Sequence, residues 1–116
     1  MGKVIKPMDL YIANVPFDDI SKSKFRLALV VDIYDNYVLV FKITSKYTNK
    51  STNTKKFYYP IKYWEEAGLI KKSYVDIHKN YKIARSTVFK RPPIGRLEIT
   101  DINDLYLFVQ TYKNNL

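Results

Sequence analysis

Arg26 and Thr44 are the residues of this chain whose types and placement best suit work on a phosphodiester. A guanidinium holds non-bridging phosphoryl oxygens through its planar fork, and a hydroxyl can hydrogen-bond the phosphate or orient a nucleophile. RNA carries its own nucleophile, the 2′-OH. Metal-free cleavage then needs alignment, a proton acceptor, charge stabilisation on the phosphoryl oxygens and a proton for the leaving 5′-oxygen. Ser45 is the alternative hydroxyl, and His78, the single histidine, is an auxiliary acid or base near neutral pH. Blander readings stand beside these: Arg26 salt-bridged to Asp18 or Asp19, and His78 as a strand-end surface residue.

The pairing follows from alternation. Phe25, Leu27, Leu29, Val31 and Ile33 are the apolar phase of one run, and Tyr37, Leu39, Phe41 and Ile43 that of the next. Lys42, Thr44 and Lys46 fall in the other phase. Period-two patterning predicts two half-buried strands. Aligning their odd-numbered faces requires a loop of odd length, so a three-residue loop Tyr34–Asn36 is expected, with Arg26 directly opposite Thr44. A two-residue Asp35-Asn36 turn breaks that match.

Composition bounds the rest. The chain has 116 residues, 47% hydrophobic and 16% aromatic, which fits one folded domain with a real core. A net charge of +9 favours a polyanionic partner: RNA, DNA, an acidic protein segment or a membrane surface. Eleven tyrosines suit strands and also surfaces that stack on bases. The lack of cysteine excludes disulfides, thiol catalysis and Cys-based zinc sites, and with one histidine a two-imidazole mechanism within the chain is impossible. Three glycines form no phosphate-cradling loop, and no His/Asp/Glu spacing suggests a metal. Asp18-Asp19 and Glu65-Glu66 are adjacent pairs whose side chains point apart. Met1–Pro7 lacks the apolar run of a signal peptide, Lys6 stands where myristoylation expects Ser or Thr, and the apolar runs are too short to span a bilayer. A cytoplasmic protein is expected.

The elements around the hairpin are read as follows. A first strand is expected over Met8–Val15, then a loop over Phe17–Lys24. Tyr47–Lys56 reads as a polar loop. No acidic residue occurs between Asp35 and Glu65, a span that interleaves lysines with Tyr37, Tyr47, Tyr58, Tyr59 and Tyr63. Phe57–Tyr59 is expected as a short strand, Pro60 to Gly68 as a short helix, and Ser73–Ile77 as another strand. Ile83–Pro93 reads as irregular and basic. Thr100 is expected to cap a final helix, with Asp101 at its positive end and Ile102, Leu105, Val109 and Tyr112 packing on the sheet. The basic run Lys79, Lys82, Arg85, Lys90 and Arg91 suits phosphates, or is a solvated face. The sum is a strand-dominated α+β domain, most simply a compact barrel with a C-terminal helix.

Across nearly its whole length the sequence resembles the MazF/PemK family of toxin endoribonucleases from bacterial toxin–antitoxin systems. Met8–Val15 resembles the family's opening strand, Phe25–Val31 its arginine-bearing second strand, and Val40–Ser45 its "ITS" motif. Ser73–Ile77 and Ile94–Leu97 resemble its later "SYV" and "IGxL" elements. The resemblance implies an SH3-like barrel, a homodimer, and metal- and cofactor-free cleavage of single-stranded RNA to a 2′,3′-cyclic phosphate and a 5′-OH. Its catalytic arginine and threonine fall on Arg26 and Thr44. It also implies a cognate antitoxin with an acidic, disordered tail, and RNA contacts that we assign to Lys22, Lys24, Lys42, Lys46, Lys79, Lys82 and Arg85. The proline that usually follows the arginine is Leu27 here, and the opening glycine is Met8. The alternatives are a non-enzymatic toxin of the same fold that binds a protein such as DNA gyrase through its C-terminal helix, and an inactive nucleic-acid-binding relative.

Overall fold

The computed structural model describes residues 7–15, 24–48 and 50–114. Asp18, Asp19 and Lys22 lie outside the described residues. The strands are β1 (Asp9–Val15), β2 (Lys24–Ile33), β3 (Tyr37–Thr44), β4 (Tyr58–Pro60), β5 (Tyr74–Ala84) and β6 (Gly95–Arg96). They form one curled, antiparallel half-barrel sheet in the order β4-β5-β3-β2-β1-β6. The helical elements are two single turns, α1 (Thr52–Lys55) and α2 (Arg85–Val88), and the long α3 (Ile99–Asn114). No helix among the described residues is long and apolar enough to cross a membrane.

The hairpin reaches its expected register by an unexpected route. Tyr34 donates its N–H to the Tyr37 carbonyl at 2.9 Å, so Asp35-Asn36 is a two-residue turn, and Ile33 pairs with Val38. Left alone, that parity would set the two odd-numbered faces against each other. A bulge between Val30 and Asp32 supplies the missing residue, and the ladder continues as Val30↔Val40, Leu29↔Phe41 and Ala28↔Lys42. The extra residue flips the end of the strand, so Ile33 packs with the even-numbered residues instead of Leu29 and Val31.

Both faces of the sheet carry a core, which corrects the half-buried reading of these strands. On one face, Leu10, Leu29, Ile43, Val75 and Ile77 pack with Leu105 of α3, and Ile102, Val109 and Tyr112 join them as the helical spacing predicts. On the other, Tyr11, Ala13, Ala28, Val30, Val38 and Val40 pack against Val88 of α2. Small and β-branched residues in the polar phase made this second core possible. Phe25, expected inside, is 60% exposed, with the Arg91 guanidinium 4.5 Å above its ring.

The segment after β4 is a single turn, not a helix. The Lys62 and Tyr63 N–H groups donate to the Asp101 carboxylate at 3.0 and 2.9 Å, as at a helix start, but a single i→i+4 bond follows, from Ala67 N–H to the Tyr63 carbonyl at 3.1 Å. Gly68, with φ of +96°, ends the turn in a Schellman arrangement: Leu69 N–H reaches the Trp64 carbonyl and Gly68 N–H the Glu65 carbonyl. The turn presses against β6 so closely that a Cβ at Gly95 would collide with the Ala67 carbonyl. Asp101 is fully buried and also accepts the Tyr59 hydroxyl at 2.6 Å. Thr100 is therefore not the cap of α3. The helix already includes Ile99, and Ile102 N–H donates to the Glu98 carbonyl.

Two further expectations are corrected. The polar loop Tyr47–Lys56 contains α1, capped by Ser51, whose hydroxyl accepts the Thr54 N–H. The stretch from Ile83 continues β5 to Ala84 and then forms α2 before becoming irregular. Met8, where the resemblance places a glycine, has φ of +78°, the backbone region that glycine occupies without cost.

Candidate nucleic-acid interface

Three ladders fix one sheet face. Lys42 pairs with Ala28 of β2 on one side and Asp76 of β5 on the other, and Thr44 pairs with Tyr74. Tyr58 of β4 pairs with Asp76. Directly opposed side chains share a face and alternate residues return to it. Arg26, two residues before Ala28, thus lies on the same face as Lys42, Thr44, Tyr58, Tyr74 and Asp76. The β2–β3 ladder ends at Ala28↔Lys42, and Arg26 is paired across β1 with Ala13. Arg26 is half-buried, with Nε sealed from solvent. Leu27 packs into the α3-side core, which anchors the strand and directs Arg26 to the opposite face without a proline.

Thr44 is half-buried, and its Oγ1 accepts the Lys46 N–H at 3.1 Å. The hydroxyl hydrogen is left to donate. Ser45 is half-buried beside it, beyond the end of β3. Lys42 Nζ lies 3.7 Å from Asp76, so its charge is partly offset on this face. Lys46 is exposed, two residues past the end of β3.

A cluster of rings completes the face. Tyr47 lies flat on Tyr74, with centroids 4.4 Å apart and planes 14° apart. Tyr58 closes the group, 6.2 Å from Tyr47 and 6.3 Å from Tyr74. Lys55 Nζ sits 4.8 Å from the centre of the Tyr47 ring, and Lys72 Nζ 5.9 Å from that of Tyr74. Sequence reasoning noted Tyr47 and Tyr58 only as members of a basic, tyrosine-rich span and did not reach Tyr74 or Lys72. The available signal was parity: Tyr74 alternates with the buried Val75 and so had to join the polar phase.

The remaining assigned residues divide. Lys82 Nζ lies 4.3 Å from the Tyr37 ring, and Arg85 donates to the Tyr34 carbonyl at 3.1 Å. Both mark the hairpin end, seven residues along β3 from Thr44 or about 23 Å away. Lys79 is exposed, with Nζ 4.9 Å from the Tyr81 ring. Lys24 belongs to β2, two positions before Arg26.

His78 is on the other side. The β3–β5 register shifts between Val40 and Lys42, and the surplus residues around His78 bulge outward. The His78 ring stacks on Phe57 at 4.4 Å, and Phe57 belongs to the α3-side core. There it lines a cavity of about 470 Å³ with Phe41, Tyr106 and Tyr112. His78 is not grouped with Arg26 and Thr44. Among the described residues no three carboxylate or imidazole groups gather as a metal site would require.

No protein-family model matches the chain, and no curated protein matches it.

Proposed function

We propose that the protein is a metal-independent endoribonuclease toxin of MazF/PemK type, built on an SH3-like barrel and acting as a homodimer. Arg26 holds the non-bridging oxygens of the scissile phosphate, and Thr44 donates its hydroxyl hydrogen to the phosphate or the 2′-OH. The 2′-oxygen attacks phosphorus as its proton passes to water, the P–O5′ bond breaks with O5′ taking a proton from water, and a 2′,3′-cyclic phosphate and a 5′-OH result. Lys42 and Lys46 supply positive charge around the pair, and an antitoxin with an acidic tail competes for the same surface.

The observation that carries this reading is the common face of Arg26 and Thr44 beside a lysine-edged tyrosine cluster, in which Tyr47 is half-buried over the buried Tyr74 and Tyr58. Five family-like segments in the right order support it from the sequence. The test is incubation with a long single-stranded RNA in EDTA, followed by mapping of ends. Discrete cuts with cyclic-phosphate termini, abolished in a folded Arg26→Ala variant, are expected. Intact RNA after treatment with the wild-type protein overturns the reading.

One observation favours a second reading, a non-enzymatic toxin that grips a protein such as DNA gyrase through its C-terminal helix. Tyr106 and Leu107 of α3 are 63% and 61% exposed, and Tyr106 lines the His78 cavity. Gyrase inhibition without RNA cleavage would select it.

A further inference from the structure

We propose that the Tyr74 ring is a platform for one nucleobase of single-stranded RNA, and that Tyr47 occupies that place in the RNA-free protein. The inference rests on the reading of this face as an RNA surface. Tyr47 imitates a bound base in three respects. It lies parallel to Tyr74 at a stacking distance of 4.4 Å. It carries a cation, Lys55, over its ring. And it belongs to the segment between β3 and α1, not to the sheet that fixes Tyr74.

The same segment holds the hydroxyl proposed for chemistry. Thr44 Oγ1 accepts the N–H of Lys46, the residue next to Tyr47, and Tyr74 is the ladder partner of Thr44. Tyr47 and the Thr44 hydroxyl, whose hydrogen is left to donate, therefore belong to one short stretch beside Tyr74. A base entering the vacated slot replaces one aromatic stack by another and comes to rest beneath Lys55, next to the Thr44 hydroxyl. Tyr47 is the internal competitor that RNA must displace.

The experiment measures binding of a non-cleavable 2′-O-methyl oligonucleotide, and of the same backbone with abasic sites, to wild type, Tyr47→Ala and Tyr74→Leu. Tyr47→Ala is expected to bind the base-bearing strand more tightly by roughly three- to tenfold, within the scale of one base–aromatic stack. Its affinity for the abasic strand stays unchanged, and Tyr74→Leu loses the preference for bases. Weaker binding by Tyr47→Ala, an equal gain for the abasic strand, or no binding by any protein overturns the proposal. Should Tyr74→Leu not fold, NMR of the wild type decides: the Tyr47 ring protons must lose their stacking shift when the oligonucleotide is added, and unchanged shifts overturn the proposal. Cleavage of ordinary RNA in EDTA is followed in parallel. Cutting without the Tyr47 effect rejects the platform alone, whereas the Tyr47 effect without cutting rejects the nuclease alone.

Discussion

The Tyr59 hydroxyl donates to Asp101 Oδ1 at 2.6 Å, across 42 positions of sequence. The same fully buried carboxylate takes the N–H groups of Lys62 and Tyr63, so one side chain ties α3 to β4 and to the turn that follows it. Asp101→Ala strands these donors in the interior. A loss of about 3 kcal/mol or more is expected in urea unfolding, against about 1 kcal/mol for Tyr59→Phe, which removes one donor and leaves the carboxylate with two.

Alkaline pH acts on the same contact. Burial, then the hydrogen bond and charge of Asp101, hold the Tyr59 phenol far above its usual 10.0. The folded state thus keeps a proton that the unfolded chain releases. This contribution to stability is fully present below pH about 10 and declines as pH rises further, by up to about 1.4 kcal/mol per pH unit. Tyr11, raised by burial and then by Asp9, acts in the same direction. Melting temperature followed from pH 8 to 11 should fall above 10, and less steeply in Tyr59→Phe.

At the proposed catalytic pair, Arg26→Ala and Thr44→Val are expected to lower RNA cleavage by roughly a hundredfold or more each. Thr44→Ser keeps the hydroxyl and should retain most of the rate. Single-turnover cleavage in EDTA checks the order, with circular dichroism confirming the fold. Equal losses in Thr44→Val and Thr44→Ser would show that the methyl group matters instead of the hydroxyl.

The bulge makes a sharper demand on the hairpin. Deleting Val31 leaves Val30↔Val40, Asp32↔Leu39 and Ile33↔Val38 as a regular ladder around the unchanged two-residue turn. The variant should fold with about 1–2 kcal/mol lost, the burial of one half-buried valine. Deleting Leu29 instead slips every residue from Lys24 to Ala28 to the wrong face, and no cooperative unfolding transition is expected.

How much of this was legible beforehand differs from residue to residue. The common face of Arg26 and Thr44 agrees with parity only because the bulge at Val31 offsets a two-residue turn that would otherwise have broken the match. The turn itself did not follow: a bulge leaves no mark when the extra residue is an apolar Val31 that continues the pattern. The helix expected from Pro60 to Gly68 is only one turn long: the Asp101 carboxylate takes its first N–H groups and Gly68 ends it one i→i+4 bond later. Gly68 as its terminator was readable, because only its local backbone was at issue. His78 was assigned by type alone, and its place depends on a β5 bulge that local sequence does not announce. Met8 was noted as a departure from the family's glycine, and the positive φ there shows that the backbone kept the shape while the side chain changed.

The close approach of Gly95 to Ala67 also governs how the molecule breathes. The outermost strands, β4 and β6, share no ladder, so the seam between them is sealed by carbonyl-to-glycine contact and by the turn around residues 61–69. Opening there breaks few backbone bonds, whereas freeing β3 means stripping ladders from both of its edges. Amide hydrogen exchange should run fastest along this seam and slowest in Val38–Ile43, which gives the sheet a hinge-like weak edge opposite a rigid spine.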